Sequence, residues 1–235
     1  MLKWDKSVKV FWLGAYCFID GWRFMGFTVA IDGPAASGKG TVAKAVAKFF
    51  GYSHLDTGLI YRAVAYLAIV KGNGVIKIAD AIEISKNFKP SYLALENLRT
   101  KEAAVNASKI ATIPKIREEL RNFQRAFARK LPGVVIDGRD IGTVIYPEAE
   151  VKLFVTASLN ARARRRYEEL VRIDSTIQMI DILEDLKVRD ERDSKRKVAP
   201  MKISEDAHLI DTTELSIEAS IALAISIIDE KRSNC

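Results

Sequence analysis

Five short, mostly apolar runs recur along this chain: Phe27–Ile31, Tyr52–Leu55, Val134–Asp137, Val151–Val155 and Ala207–Ile210. Runs of four or five such residues, bounded by glycine, proline or charge, suit strands buried on both faces. Between them apolar positions recur every three or four residues, the spacing of amphipathic helices. The pattern predicts helices over 42–50, ended by Gly51, over 59–71, stopped by Gly72-Asn73-Gly74, and over 76–87. Further helices are expected over 101–109, over 114–130, where Pro114 suits a first turn, and near 158–173 and 176–195. Ile217, Ile221, Ile225 and Ile228 mark a C-terminal helix and are expected in the core, whereas 88–99 lacks strong periodicity. Strands alternating with helices predict a three-layer α/β fold. Its parallel sheet is covered on both faces, with ligands at the carboxyl ends of the strands.

The first run leads directly into Gly33, Pro34, Ala35, Ala36, Ser37, Gly38, Lys39, Gly40 and Thr41. A strand, a glycine-rich loop, a lysine and then a helix form the arrangement that holds nucleotide phosphates. Backbone N–H groups and the positive end of the helix point at the anion, and Lys39 adds a mobile charge. Many such loops carry a hydroxyl directly after the lysine as a magnesium ligand. Here Gly40 takes that place and the hydroxyl comes one residue later, at Thr41, which points to the small nucleotide kinases rather than to GTPases or motor ATPases.

Three more constellations fall at predicted strand ends. Leu55-Asp-Thr-Gly-Leu-Ile-Tyr-Arg62 places a hydroxyl, a ring and a guanidinium beside the phosphate loop. Val135-Ile-Asp-Gly-Arg-Asp-Ile-Gly-Thr143 delivers Asp137, Arg139 and Asp140 to the same edge, where Gly138 and Gly142 are expected to let the backbone approach a ligand. In Arg189-Asp-Glu-Arg-Asp-Ser-Lys-Arg196, the residues Arg189, Asp193 and Arg196 share one helix face. The net charge of +7 agrees with a site for several phosphates. Cys17 and Cys235, the only cysteines, offer neither a metal-ligand nor a disulfide spacing, so a reducing cytoplasm is expected.

In this order the blocks resemble cytidylate kinases of the bacterial type, from about Phe27 to about Ile228. The resemblance implies a P-loop nucleotide kinase fold that transfers the γ-phosphoryl group of ATP to CMP or dCMP, with Mg2+. Its core would carry an insertion for the acceptor nucleotide at about 58–130 and a small lid at about 158–175. By similarity, Arg62, Arg139 and Arg196 grip the acceptor phosphate, a task that suits the planar fork of arginine. Ser108, Arg117 and Asp140 read cytosine, and Thr57, Arg189 and Asp193 surround the sugar. Tyr61 packs at the base or sugar. Residues 35–41 hold the donor phosphates, with Thr41 near the metal. Arg165 and Arg166 match the family's lid arginines, although a solvated helix face paired with Glu168 and Glu169 also explains them. Asp137 has a second reading as a structural residue tying its loop through Arg139. His54 and His208 are expected as packing or edge residues.

The chain departs from the family pattern in one place. Where the family usually carries a longer strand-rich insertion, only Lys89–Leu98 stands before Arg99-Thr-Lys-Glu102, which implies a smaller acceptor lobe. Residues 1–26 hold all three tryptophans and are expected to be a dispensable extension outside a single kinase domain at 27–235, with an early start codon one explanation. Lys3, Lys6 and Lys9 before Val10–Ile19 resemble a short signal peptide, but no small-residue cleavage site follows. Ten apolar residues are too few to span a bilayer, and no stable membrane association is expected.

Rival kinases remain, namely adenylate, uridylate and shikimate kinases. The clustered cysteines of an adenylate kinase with a metal-binding lid are missing, as is the Asn-Lys-x-Asp signature of GTPases. No nucleic-acid reading module is apparent, so the expected partners are CMP and dCMP rather than nucleic acid. A monomer is expected by analogy.

Overall fold

The computed structural model describes residues 10–13, 16–19, 22–24, 26–172 and 174–233. Aromatic and β-branched residues form three short strands, Val10–Leu13 (β1), Tyr16–Ile19 (β2) and Trp22–Phe24 (β3). They pair antiparallel in a sheet of their own, Val10 opposite Ile19 and Ile19 opposite Trp22. No strands were expected from the sequence in this stretch.

The five apolar runs form a second, parallel sheet: Phe27–Asp32 (β4), Ser53–Asp56 (β5), Gly133–Gly138 (β6), Val151–Thr156 (β7) and His208–Asp211 (β8). The strand order is β5-β6-β4-β7-β8. The first strand of this sheet therefore lies at its centre, and the chain leaves it between neighbours that lead in opposite directions. That switch point is where an open α/β sheet opens a crevice for ligands.

Alternation along the strands builds two cores. Ala30, Leu55, Val134 and Ile136 face one side, packed by Ile60 and Val64 of Thr57–Lys71 and by Ile116 and Leu120 of Pro114–Ala128. Val29, Ile31, Val135, Leu153, Val155 and Ile210 face the other side. There they meet Val42 and Val46 of Lys39–Phe50, and Ala224 and Ile228 of Ile217–Ser233. Each fully buried isoleucine or valine contributes about 1.5–3 kcal/mol over an exposed one. A third, smaller core joins Ala35 of the phosphate loop to Ala163, Ile182 and Leu186.

In chain order the helices are α1 Lys39–Phe50, α2 Thr57–Lys71, α3 Ile78–Lys86, α4 Lys101–Ile110, α5 Pro114–Ala128, α6 Leu159–Leu170, α7 Met179–Lys195 and α8 Ile217–Ser233. Caps account for three of their starts: the Thr100 hydroxyl accepts from Ala103 N–H at 3.1 Å, the Ser158 hydroxyl from Ala161 N–H at 3.3 Å, and the Ser216 hydroxyl from Ala219 N–H at 3.1 Å. The stretch without periodicity, 88–99, holds two 3₁₀ turns, Pro90–Ala94 and Glu96–Arg99. A single π-helical turn, Ile141–Ile145, follows β6.

The isoleucine stripe needs correction. Ser220, Ala224 and Ile228 form the buried line of α8, whereas Ile217 at its start is 60% exposed. Ile221 and Ile225 flank that line and are partly buried. The repeat of three and four was read correctly, but small residues let the helix lie close, and so the inward face is turned toward them.

Candidate active site

The phosphate loop starts where β4 ends. Gly33 has φ +149°, and a side chain there would begin 2.0 Å from the carbonyl oxygen of Val155 on β7, so only glycine fits. Gly38 (φ +87°) then turns the chain into α1, whose first residue is Lys39. Lys39 Nζ donates to the Pro34 carbonyl at 3.2 Å, so the ammonium lies across its own loop. Burial, reinforced by the charge of Arg139, pushes Lys39 down to about 7.

This loop floors a cleft of about 730 Å³. Ala36 to Thr41 form its base, Arg164, Arg165 and Arg172 of the α6 region one wall, and Thr212–Ile217 the other. The sequence gives no site role to Arg164 or to the 212–217 segment. The segment lacks any charge run or glycine pattern and owes its place to the end of β8. Arg165 donates to the Thr212 hydroxyl at 2.9 Å, and that hydroxyl donates to the Ser37 carbonyl at 3.0 Å. Arg165 is thus bound to the cleft wall rather than solvated. Arg166 pairs with Glu169 at 2.8 Å, as the solvated-face reading expected. It also lines a cavity of about 130 Å³ together with Ser108 and Arg189.

Beside the loop, the remaining expected residues fall into neighbouring bonded sets. Asp140 is buried, and Arg117 and Arg196 hold its two oxygens, the latter at 2.9 Å. Arg117 also donates to the Tyr61 hydroxyl at 3.2 Å, which fastens α5 to α2. Burial raises Tyr61 and keeps it a neutral phenol. Arg139 meets Asp193 at 2.9 Å, and Arg189 lies 3.8 Å from the same carboxylate. Burial alone would raise Asp193, but Arg139, Arg189 and Arg196 together hold it below the ordinary carboxylate range. Arg189 is pushed down to about 10 by burial and then by Arg139. Thr57 donates to the Asp137 carbonyl at 2.8 Å. Ser108 accepts at 3.0 Å from Arg192, a residue of the 189–196 motif with no role expected from the sequence.

Arg62 stands at the near side of this network. It donates to the Leu98 carbonyl at 3.0 Å, and burial followed by the charges of Arg166, Arg99 and Arg139 lowers its pKa despite Asp56. Such a gathering of guanidinium groups is unfavourable unless an anion lies among them.

One expectation is corrected. Asp137 does not tie its loop through Arg139; its carboxylate meets His54 Nε2 at 2.7 Å, while Arg139 turns to Asp193 and to the Gly138 carbonyl. Gly138 is also hemmed in by protein atoms. A side chain there would begin 2.6 Å from the Thr57 hydroxyl and 2.7 Å from Ile141 Cδ1.

This geometry agrees with what the chain is similar to. The family model described as cytidylate kinase matches residues 29–230. A cytidylate kinase of Cereibacter sphaeroides (strain KD131 / KCTC 12085) is 51% identical over 209 residues, 89% of this chain and 98% of its own length. One of Sinorhizobium medicae (strain WSM419) is 49% identical over 205 residues, 87% of this chain and 97% of its own. In fold, the crystal structure of an uncharacterized protein from Eubacterium ventriosum superposes with a TM-score of 0.53 at 16% identity, covering 86% of this chain and 98% of that one. The chain belongs to the cytidylate kinase family.

Proposed function

We infer that this chain phosphorylates CMP, the substrate in its family's name, at the expense of ATP, and that dCMP is accepted at the same seat. The observation that carries the residue assignment is Asp140. Its buried carboxylate is clasped by Arg117 and Arg196, and the next residue back in the chain, Arg139, pairs with Asp193.

In this reading ATP lies in the 730 Å³ cleft, with its β- and γ-phosphates on the N–H groups of residues 35–41 and on Lys39. Arg62, Arg139 and Arg196 take the acceptor phosphate. That phosphate is largely a dianion at neutral pH, so no general base is needed. An oxygen of the CMP phosphate forms the new bond to the γ-phosphorus as the bond to the β,γ-bridging oxygen breaks, leaving ADP and CDP. The catalytic difficulty is to bring two polyanions into line, and fixed cations meet it. Arg165, on the cleft side of α6, and Arg166, beside Ser108 and Arg189 in the neighbouring cavity, add charge at the transferring group.

Base recognition follows from donor and acceptor chemistry. Arg117 can donate to the O2 and N3 acceptors of cytosine, and Asp140 can accept from its exocyclic amine. Uracil presents an oxygen where that amine stands, and Asp140 would repel it. Ser108 completes the base edge, Tyr61 packs on the nucleoside, and Thr57, Arg189 and Asp193 face the sugar hydroxyls.

Mg2+ prefers oxygen ligands and keeps several waters. Among the described residues no three acidic, histidine or cysteine side chains converge on one point. Thr41 lines the donor cleft, and Asp137 Oδ2 lies 3.9 Å from where a side chain at Gly40 would begin. These two oxygens suit a cation held chiefly by nucleotide phosphates and water. Bound there, Mg2+ would neutralise the β- and γ-phosphate oxygens.

The deciding experiment is a coupled assay of ADP release with CMP, dCMP, UMP, AMP and shikimate as acceptors. CMP or dCMP should turn over fastest. A faster reaction with AMP or UMP would overturn the base assignment.

A further inference from the structure

Asp32 is the last residue of β4 and was assigned no role from the sequence. It is 5% exposed, and its two carboxylate oxygens accept the N–H groups of Ile141 at 2.9 Å and Gly142 at 2.8 Å. Those are the first two residues of the π-helical turn that follows Arg139 and Asp140. A helical turn starts with N–H groups that have no partner within it. Here Asp140, the residue before the turn, supplies no side-chain cap, because its carboxylate is turned to Arg117 and Arg196. A carboxylate more than a hundred positions earlier in the chain caps the turn instead.

Position makes this cap more than a local brace. In the sheet register Asp32 lies opposite Gly138, so β4 and β6 end side by side. The residue after Asp32 is Gly33, where the phosphate loop begins, and the residues after Gly138 are Arg139 and Asp140. One side chain therefore joins the backbone that carries the donor loop to the backbone that carries two acceptor groups. The arrangement is costly: burial pushes Asp32 up to about 7, and only the two N–H groups and Arg139 act against that penalty. Two backbone donors held by one rigid carboxyl group fix the start of the turn against the end of β4, which gives the strap its stiffness.

The geometry points to Asp32 as a positioning residue for the acceptor: it holds Arg139 and Asp140 at a set distance from the phosphate loop and so governs the grip on CMP. This rests on the acceptor-site reading given above. Asp32→Asn keeps the shape but turns an amide NH2 toward one of the two N–H groups. The KM for CMP should rise about tenfold or more and kcat should fall, while the KM for ATP stays within about twofold.

Because KM does not depend on the active fraction, partial misfolding alone would not produce that split. Asp32→Ser, which retains one small acceptor, should move the KM for CMP in the same direction and keeps the test open should Asp32→Asn not fold. Arg139→Ala is measured alongside. If it raises the KM for CMP while both Asp32 variants leave it unchanged, the Asp32 proposal is overturned and the acceptor reading survives. If Arg139→Ala leaves it unchanged as well, the acceptor reading itself has failed.

Discussion

The guanidinium of Arg162 meets the carboxylate of Asp190 at 2.7 Å between α6 and α7. Arg162 is buried and also donates to the carbonyls of Ala157, at the end of β7, and Ala35, in the phosphate loop, at 2.9 and 3.2 Å. Three elements around the donor cleft thus converge on one side chain. Asp190 stands next to Arg189 on α7, so the same cation reaches the helix that carries Asp193 and ends just before Arg196.

Removing one member of a buried pair leaves an uncompensated charge, which typically costs 3–5 kcal/mol. Asp190 keeps a quarter of its side-chain exposure, which discounts the figure. Arg162→Met should lower stability by about 2–3 kcal/mol, read as a drop in the denaturant midpoint at unchanged slope. A shift below about 0.5 kcal/mol, the usual range for exposed positions, would show that the pair and its two carbonyl bonds hold nothing.

Base selectivity makes a second prediction. Asp140→Asn retains an acceptor oxygen but loses the charge that pairs with Arg117 and Arg196. The amide can also donate to the oxygen that uracil presents in place of the cytosine amine. The ratio of kcat/KM for CMP over UMP should fall about tenfold or more, since mispaired buried polar groups cost 1–3 kcal/mol each. Arg117→Ala should chiefly raise the KM for CMP. Steady-state kinetics with both acceptors measures these effects, and an unchanged CMP-to-UMP ratio in Asp140→Asn would remove Asp140 from base reading.

Much of this site was legible because its chemistry is local in the chain. The turn at Gly33–Thr41 and the blocks around Arg62, Arg139 and Arg196 each follow a strand or ride one helix face, and parallel strands bring their carboxyl ends to one edge. What the sequence hid depends on distance. Asp32 reaches Ile141 and Gly142, Arg162 reaches Ala35, and Arg192 reaches Ser108, pairings that no local spacing encodes. Asp137 was misread for the same reason. Its partner His54 lies on the adjacent strand β5, in register beside Val135, two residues from Asp137 on β6. The buried face of α8 was shifted because alanine and serine carry no apolar signal, yet they mark where helices approach most closely.

Residues 1–24 lie before the family match, which starts at residue 29, and every candidate group lies at or beyond Asp32. The strands β1 to β3 form a sheet separate from the one that carries the site. A protein lacking residues 1–24 should show kcat and both KM values within about twofold of the full chain. A large loss in kcat would make the extension part of the enzyme.

The depressed pKa of Lys39 leads to a prediction with a definite sign. At about 7, Lys39 is charged in acid and mostly neutral by pH 8. Phosphate oxygens brought to its ammonium favour the charged form and raise that pKa. Below pH 6 the lysine is protonated with or without nucleotide, so it contributes no pH dependence. Above 7, binding must take up a proton, and affinity should fall as pH rises, by at most about tenfold per pH unit. Calorimetry of ATP binding at pH 8, in buffers of different ionisation enthalpy, should register uptake approaching one proton, because the terminal phosphate has already lost its own. Lys39→Met should bind weakly, show no uptake and support no turnover. Binding without proton uptake in the wild type at pH 8 would mean that Lys39 is charged before the nucleotide arrives, and that Arg139 and burial do not govern it.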